Sequence, residues 1–93
     1  MRKAYLLAYG NGIGTQEQVK NWVDKMNSVI LWRYDMSNAF YLISEDSAEI
    51  IAKEFREYAN KGIFIVTELE ANSYGWLVPA SWHLINHKEY QVK

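Results

Sequence analysis

Apolar residues in the first third of the chain change from a short continuous run to a helical spacing. The run at residues 4–9 stops at the glycine-rich stretch 10–15, which is typical of a buried strand followed by a flexible turn. Thr15 and Gln18 form a capping box. The apolar residues that follow recur on one helix face: Val19, Trp22, Val23 and Met26. The pattern predicts one strand and then a helix from about residue 16 to 27.

Strand patterns and helix patterns continue to follow each other through the rest of the chain. Residues 29–34 and 39–44 are β-branched and aromatic, and the polar residues 35–38 between them predict a hairpin turn. Asp46 and Glu49 form a second capping box, which predicts a second helix that ends before Gly62. Residues 63–67 form the clearest strand. Pro79 suits the first turn of a short C-terminal helix, and residues 90–92 would add a short fifth strand.

The predicted order of strand, helix, strand, strand, helix, strand indicates an α+β fold, the ferredoxin-like βαββαβ sandwich. In that topology the antiparallel sheet has the order 4-1-3-2, and both helices lie on one face. A chain of 93 residues has room for one core, so residues 1–93 are predicted to form a single domain.

The sheet face opposite the two helices is predicted to be open and aromatic. Alternation places Tyr5 and Tyr9 on one side of the first strand and Tyr41 on one side of the third, and these sides coincide if the register allows it. Rings on an open sheet serve either as a base-stacking platform or as an apolar interface. We expect the interface, and therefore a homodimer, because few cations accompany the rings.

Charge and cysteine content narrow the classes of function. Ten basic and eleven acidic residues are spread along the chain, which disfavours strong non-specific binding to nucleic acid. The absence of cysteine excludes disulfides, thiolate nucleophiles and cysteine-based zinc sites. The N-terminal apolar run is too short for a signal peptide and nothing is long enough for a membrane span, so we expect a cytoplasmic protein without a membrane partner.

The glycine-rich stretch is the first candidate ligand site. It lies between a strand and a capped helix, where backbone N–H groups can face an anion such as the phosphate of a nucleotide or RNA. Its residues are Gly10, Asn11, Gly12, Gly14 and Thr15. It lacks the ending of a P-loop and the glycine spacing of a dinucleotide-binding motif, so a plain flexible turn is the competing interpretation.

Large rings near the end of the chain form the second candidate site. Trp76 and Trp82 flank Pro79 and are interpreted as packing that fixes the C-terminal segment against the core or a partner. The alternative is a ligand pocket between these tryptophans and the glycine turn.

The sequence predicts neither a metal site nor a cofactor. His83 and His87 would share a helix face, but no cysteine or matched carboxylate completes a ligand shell, so they are interpreted as surface or interface histidines. Asp35 is interpreted as a turn residue and Glu68 as an exposed strand-end residue. No Ser-His-Asp arrangement is suggested, which favours a protein that is not an enzyme.

Residues 5–9, the following helix and residues 32–43 resemble small bacterial proteins related to the CRISPR adaptation-complex subunit and its toxin-like relatives. The resemblance covers roughly residues 3–70. It implies the ferredoxin-like fold and dimerisation through the sheet face and a C-terminal strand, for which residues 90–92 are the counterpart. The family pattern ends its first strand in Tyr-Asp, with the aspartate binding metal, whereas this chain has Tyr9-Gly10. The resemblance therefore does not imply nuclease activity.

Together these observations predict a non-enzymatic, homodimeric interaction or binding module. The alternative is a small nucleotide- or RNA-binding protein, or a nuclease-like enzyme, that uses residues 10–15 for phosphate.

Overall fold

The fold, taken from a computed structural model that describes residues 1–91, is an α+β arrangement, as predicted. Its elements are β1 (Lys3–Tyr9), α1 (Gln16–Lys25), β2 (Leu31–Met36), β3 (Ala39–Ser44), α2 (Ala48–Tyr58), β4 (Phe64–Glu68) and α3 (Pro79–His87). Within the described residues the four strands form one antiparallel sheet of order β2-β3-β1-β4. That order is 4-1-3-2 when read from the opposite edge, and it is consistent with a ferredoxin-like fold.

Local capping explains where the helices begin. The Thr15 hydroxyl accepts a hydrogen bond from the Gln18 amide and the Gln18 side chain accepts one from the Thr15 amide, so the first capping box is confirmed. The second is wrong, because Ser47 caps α2 and Asp46 donates its amide N–H to Ser44 Oγ. Pro79 occupies the first turn of α3, where its missing N–H costs nothing.

The β2–β3 hairpin is tighter than the sequence suggested. β2 continues to Met36, so that Asp35 lies in the strand rather than in the turn. Asn38 fixes the short turn, because its carbonyl accepts the Tyr9 amide N–H and its side chain donates to the Tyr9 carbonyl. The register shifts between Arg33 and Met36, which is the irregularity that an extra strand residue produces.

The main core lies between one face of the sheet and both α1 and α2, as predicted. Alternate residues of the two central strands point into it and meet the apolar stripes of the helices. Its fully buried members are Tyr5, Leu7, Phe40, Leu42, Val19, Val23, Ile51 and Phe55. The same layer contains Tyr9 and Met26.

The opposite face is partly covered by α3, so the predicted open aromatic face is wrong. Leu6, and not Tyr5, lies opposite Tyr41, which puts the tyrosines of β1 and β3 on different faces. Tyr5 and Tyr9 lie under α1 and α2, and Tyr41 lies under α3. Tyr5 and Tyr41 each retain 2% exposure and Tyr9 retains 6%, so the protomer itself encloses the three predicted interface residues.

The C-terminal end of the described chain adds no regular element. Lys88 takes a left-handed conformation that ends α3, and residues 89–91 form no strand. The predicted fifth strand extends to residue 92, which lies outside the described residues. None of the helices within residues 1–91 combines the length and the apolar character that crossing a bilayer requires.

Candidate functional site

A partly buried polar cluster links β2 to α3. Arg33 Nε donates to Ser81 Oγ at 2.7 Å, and Ser81 Oγ donates to Asp35 Oδ2 at 2.6 Å. Arg33 Nε also lies 3.8 Å from Asp35 Oδ1. Ser81 has no solvent exposure, so its hydroxyl cannot meet a substrate in this conformation. The cluster therefore links α3 to the sheet.

Sequence reasoning did not connect these three residues. Arg33 and Asp35 are two positions apart on a strand, so they share a face, and polar side chains on a face that packs need a polar partner. The two-residue spacing of Arg33 and Asp35 was the feature of the sequence that could have indicated a polar cluster here. It does not identify Ser81 as the partner, since Ser81 is 46 residues beyond Asp35 and is brought there only by the packing of α3.

Tyr41 lies beside this cluster. Burial, followed by the nearby Asp35 carboxylate, raises the pKa of Tyr41 to about 12, although Arg33 opposes the effect. Its hydroxyl oxygen is buried, and although it makes no hydrogen bond of ideal geometry with any residue in 1–91, an interaction of hydrogen-bond type with the Asp35 side chain contributes to the raised pKa. Tyr41 therefore carries a neutral hydroxyl at pH 7, and Asp35 is the polar side chain that acts on it most strongly.

A small apolar cavity lies between the sheet and the segment that follows β4. Its volume is about 140 Å³. Leu6 and Tyr41 contribute from the sheet, Trp82 from α3 and Leu77 from the connecting segment. The remaining lining residues are Met36, Leu69, Ser73, Tyr74, Gly75 and Ile85. None of the lining side chains carries a formal charge, so the cavity suits a neutral molecule.

The two tryptophans predicted as ligand residues have different roles. Trp82 lines the cavity, whereas Trp76 is 89% exposed. Tyr74 connects them, with its ring 5.7 Å from that of Trp76 and 6.4 Å from that of Trp82. Trp82 of α3 therefore packs, whereas Tyr74 and Trp76 of the preceding segment face solvent, and Tyr74 also borders the cavity.

The glycine turn borders a separate cleft of about 420 Å³. Asn11, Gly12 and Gly14 line it with Trp22 of α1 and Lys61, which follows α2. It shares no lining residue with the tryptophan cavity, so the predicted pocket between the tryptophans and the glycine turn is wrong. The two lie on different parts of the fold.

The glycine turn has structural reasons for its composition. A Cβ on Gly62 would lie 2.9 Å from the Gly12 carbonyl carbon, so this part of the turn packs closely against the backbone that follows α2. The Thr15 and Gln18 amides are already occupied by the capping box. Fewer donors at the start of α1 therefore remain for an anion than the sequence suggested.

The histidines of α3 lie beside each other with their rings tilted by 36°. The rings of His83 and His87 lie 4.5 Å apart, which confirms that they share a helix face. The His83 Nε2 atom is buried and without a hydrogen-bond partner among residues 1–91. Nowhere in that part of the chain do three or more His, Asp or Glu side chains come together as a metal ion would require.

The outer edge of β4 is apolar and unpaired. Within residues 1–91 β4 pairs only with β1, so its other edge offers free backbone groups. Ile63 and Ile65 are 79% and 61% exposed, while Phe64 and Val66 point to the main core. We call Ile63, Ile65 and the outer edge of β4 the β4-edge patch.

Comparison of the chain with protein-family models, with curated proteins and with solved structures gives no match.

Proposed function

We propose that this chain is a non-enzymatic interaction module that works as a homodimer, in which two copies pair through the β4-edge patch. The observation that supports the proposal is the exposure of Ile65 on the unpaired edge strand β4 and of Ile63 directly before it. Natural proteins protect such edges with charges, proline, bulges or a covering element. Residues 63–67 contain none of these charges or prolines, and Glu68 stands only at the strand's end.

A second copy of the chain is the occupant that fits this edge. Antiparallel pairing of β4 with its own counterpart about a two-fold axis would place Ile65 opposite Ile65 and Ile63 opposite Thr67 of the second copy. This contact would satisfy the free backbone groups and cover both isoleucines. It would also join two four-stranded sheets into one continuous sheet.

The proposed dimer differs from the one predicted from the sequence in its interface, which is the β4-edge patch and not the aromatic sheet face. The ferredoxin-like arrangement, supported by the element and strand order, leaves β4 at an edge. The sheet face that the resemblance to the CRISPR adaptation-complex relatives suggested for pairing is partly covered here by α3. The edge is therefore the better candidate.

Sedimentation equilibrium at micromolar concentration tests the proposal. We expect the wild-type chain to have the mass of a dimer. Ile65→Lys should have the mass of a monomer, because a lysine on the edge must lose hydration to be covered. Ile50→Lys is the matched control, since Ile50 is 51% exposed on α2, away from the edge, and should leave the mass unchanged. A monomeric wild type, or a dimeric Ile65→Lys, contradicts the proposal.

The second candidate function is nucleotide or RNA binding, including a nuclease-like activity, in the cleft at the glycine turn. Lys61 favours it, because a cation beside a glycine-rich backbone attracts phosphate. Trp22 lines the same cleft, so its fluorescence should report binding of nucleotides or short RNA. Saturable quenching that is weakened by Lys61→Gln would support this function, and the absence of quenching would count against it.

A further inference from the structure

The side chain of Tyr90 covers part of the outer edge of β2. The Trp32 amide N–H donates to the Tyr90 hydroxyl oxygen at 3.3 Å, and that hydroxyl donates to the Trp32 carbonyl at 2.9 Å. Trp32 lies opposite Leu42 of β3, yet its two backbone groups bond to Tyr90, so they point away from β3. One side-chain hydroxyl therefore takes the position that a residue of a further strand would occupy.

The remainder of this edge is protected in another way. Within residues 1–91 β2 pairs only with β3, so it forms the edge of the sheet opposite β4. Backbone groups on an edge strand pair readily with another strand, and a bulge is one feature that prevents it. The register shift between Arg33 and Met36 disrupts the second half of β2 in this manner. Trp32 lies in the regular first half, where pairing would begin, and that is the residue that Tyr90 covers.

The contact made by Tyr90 is one that can open. Tyr90 is 48% exposed, and residues 89–91 form no regular element after Lys88 ends α3. Both hydrogen bonds to Trp32 are at the surface, so water and a partner strand compete for the same groups. The buried residues Leu84 and Ile85 hold α3 on the sheet by themselves. The cover can therefore leave β2 while α3 stays in place.

We propose that Tyr90 is a releasable cover that keeps a second copy of the chain from pairing with β2, and that its release opens an antiparallel β2–β2 contact centred on Trp32. A second copy fits this position because an outward N–H and C=O on one residue complement each other. About a two-fold axis, each Trp32 donates to the other and accepts from it. The contact also brings two partly buried Trp32 rings side by side, and aromatic cross-strand pairs stabilise a sheet.

This contact is separate from the β4-edge patch, since β2 and β4 are opposite edges of the sheet. Its consequence, unlike the contact itself, rests on the proposed homodimer. If both edges paired, every copy would have two different two-fold contacts, and the assembly would grow as a continuous sheet instead of closing. Tyr90 therefore limits the proposed homodimer to two copies.

Hydrogen exchange of the Trp32 amide in the full chain at low micromolar concentration tests the cover. Tyr90→Phe removes the hydroxyl and keeps the ring, so exchange at Trp32 should become about tenfold faster, which corresponds to the loss of one hydrogen bond. Tyr74→Phe is the matched control, because it removes the hydroxyl of a tyrosine that is 88% exposed on the segment after β4. It should leave exchange at Trp32 unchanged.

Sedimentation equilibrium tests the contact between copies. All chains carry Ile65→Lys, so that the β4 edge does not contribute to the mass. Adding Tyr90→Ala, which removes the cover, should convert the monomer to a dimer as the concentration rises to millimolar. In that dimer the Trp32 amide should again exchange about tenfold more slowly than in the dilute double variant. Adding Tyr74→Ala instead should leave the mass unchanged, with folding of each chain checked by circular dichroism.

Three results would overturn the proposal. The first is unchanged Trp32 exchange in folded Tyr90→Phe protein. The second is a folded Ile65→Lys, Tyr90→Ala chain that keeps the mass of Ile65→Lys alone up to millimolar concentration. The third is a gain in mass without slower exchange at Trp32, which would place the contact elsewhere. A dimeric Ile65→Lys chain would contradict the β4-edge proposal alone, since the β2 contact is judged by the mass that Tyr90→Ala adds.

Discussion

Leu6 of β1 lies directly opposite Tyr41 of β3, and both side chains face α3. One position earlier, Tyr5 lies opposite Leu42 and faces α1 and α2. Two tyrosines with the same 2% exposure therefore have different polar environments. The Tyr5 hydroxyl donates to the Asp46 carbonyl at 2.6 Å, whereas the Tyr41 hydroxyl makes no hydrogen bond of ideal geometry within residues 1–91 and interacts with the Asp35 side chain.

This difference predicts different costs for the same substitution. Tyr5→Phe loses a hydrogen bond and leaves a carbonyl less satisfied, so it should lower the free energy of unfolding by about 1 kcal/mol. Tyr41→Phe removes a hydroxyl that makes no hydrogen bond of ideal geometry, so it should lower the free energy of unfolding by less than Tyr5→Phe does. Urea denaturation of both variants checks this. A larger loss for Tyr41→Phe than for Tyr5→Phe would contradict this ranking of the two hydroxyls.

Tyr41 should also affect stability at alkaline pH. Its pKa is raised from 10.0 in the unfolded chain to about 12 in the fold, mainly by burial. Its contribution is therefore complete below pH about 10 and is lost as the pH rises through about 12, because the unfolded state loses its proton first. Thermal denaturation between pH 9 and 12 should show a shallower decline for Tyr41→Phe than for the wild type. If the melting temperatures of the wild type and of Tyr41→Phe fall equally with pH, the raised pKa of Tyr41 is contradicted.

Glu54 of α2 should stabilise the connection between α1 and β2. Its carboxylate accepts hydrogen bonds from the Asn27 amide at 2.7 Å, the Ser28 amide at 2.9 Å and the Ser28 hydroxyl at 2.6 Å. Burial alone would raise the pKa of Glu54, but these hydrogen bonds outweigh it and the pKa is lowered. Glu54→Gln should therefore cost about 1–3 kcal/mol at pH 7, because a neutral amide satisfies these donors less well.

The free energy of unfolding measured at acid pH tests the direction of the pKa shift of Glu54. A carboxyl whose pKa is lowered on folding contributes stability above its unfolded pKa of about 4.3, and loses it as the pH falls through the folded value. The gap between wild type and Glu54→Gln should narrow below pH about 4. Glu57→Gln, at an exposed position of α2, is the control and should stay close to wild type throughout.

Two glycines should respond differently to alanine. Gly62 has a φ of 85°, and an added Cβ would lie 2.9 Å from backbone atoms of Gly12 and Ile13. Those backbone atoms cannot move away without strain in the turn. Gly62→Ala should cost more than about 1 kcal/mol in unfolding free energy. Gly75→Ala meets nothing within 4 Å and should be nearly neutral. Equal stabilities of the two variants in urea denaturation would contradict this packing of the glycine turn.

Local signals determined most of the element positions. The capping box at Thr15 and the apolar spacing after it predicted α1 to within about two residues at its end. Residues 63–67 predicted β4 to within one residue at each end. The adjacent polar pair Asp46-Ser47 offered two caps, and the choice of Ser47 depended on Asp46 donating its amide to Ser44. Such choices depend on contacts that a pattern does not contain.

The sequence by itself determined the order of strands and helices, since apolar periodicity and capping act over a few residues. Only the tertiary structure decided which face of the sheet each tyrosine occupies, because a shift of one residue in strand pairing reverses every side chain. The packing of α3 against that sheet also decided the cavity at Tyr41 and the cluster of Arg33, Asp35 and Ser81. Those contacts join residues more than 40 positions apart, where no local energy term constrains them.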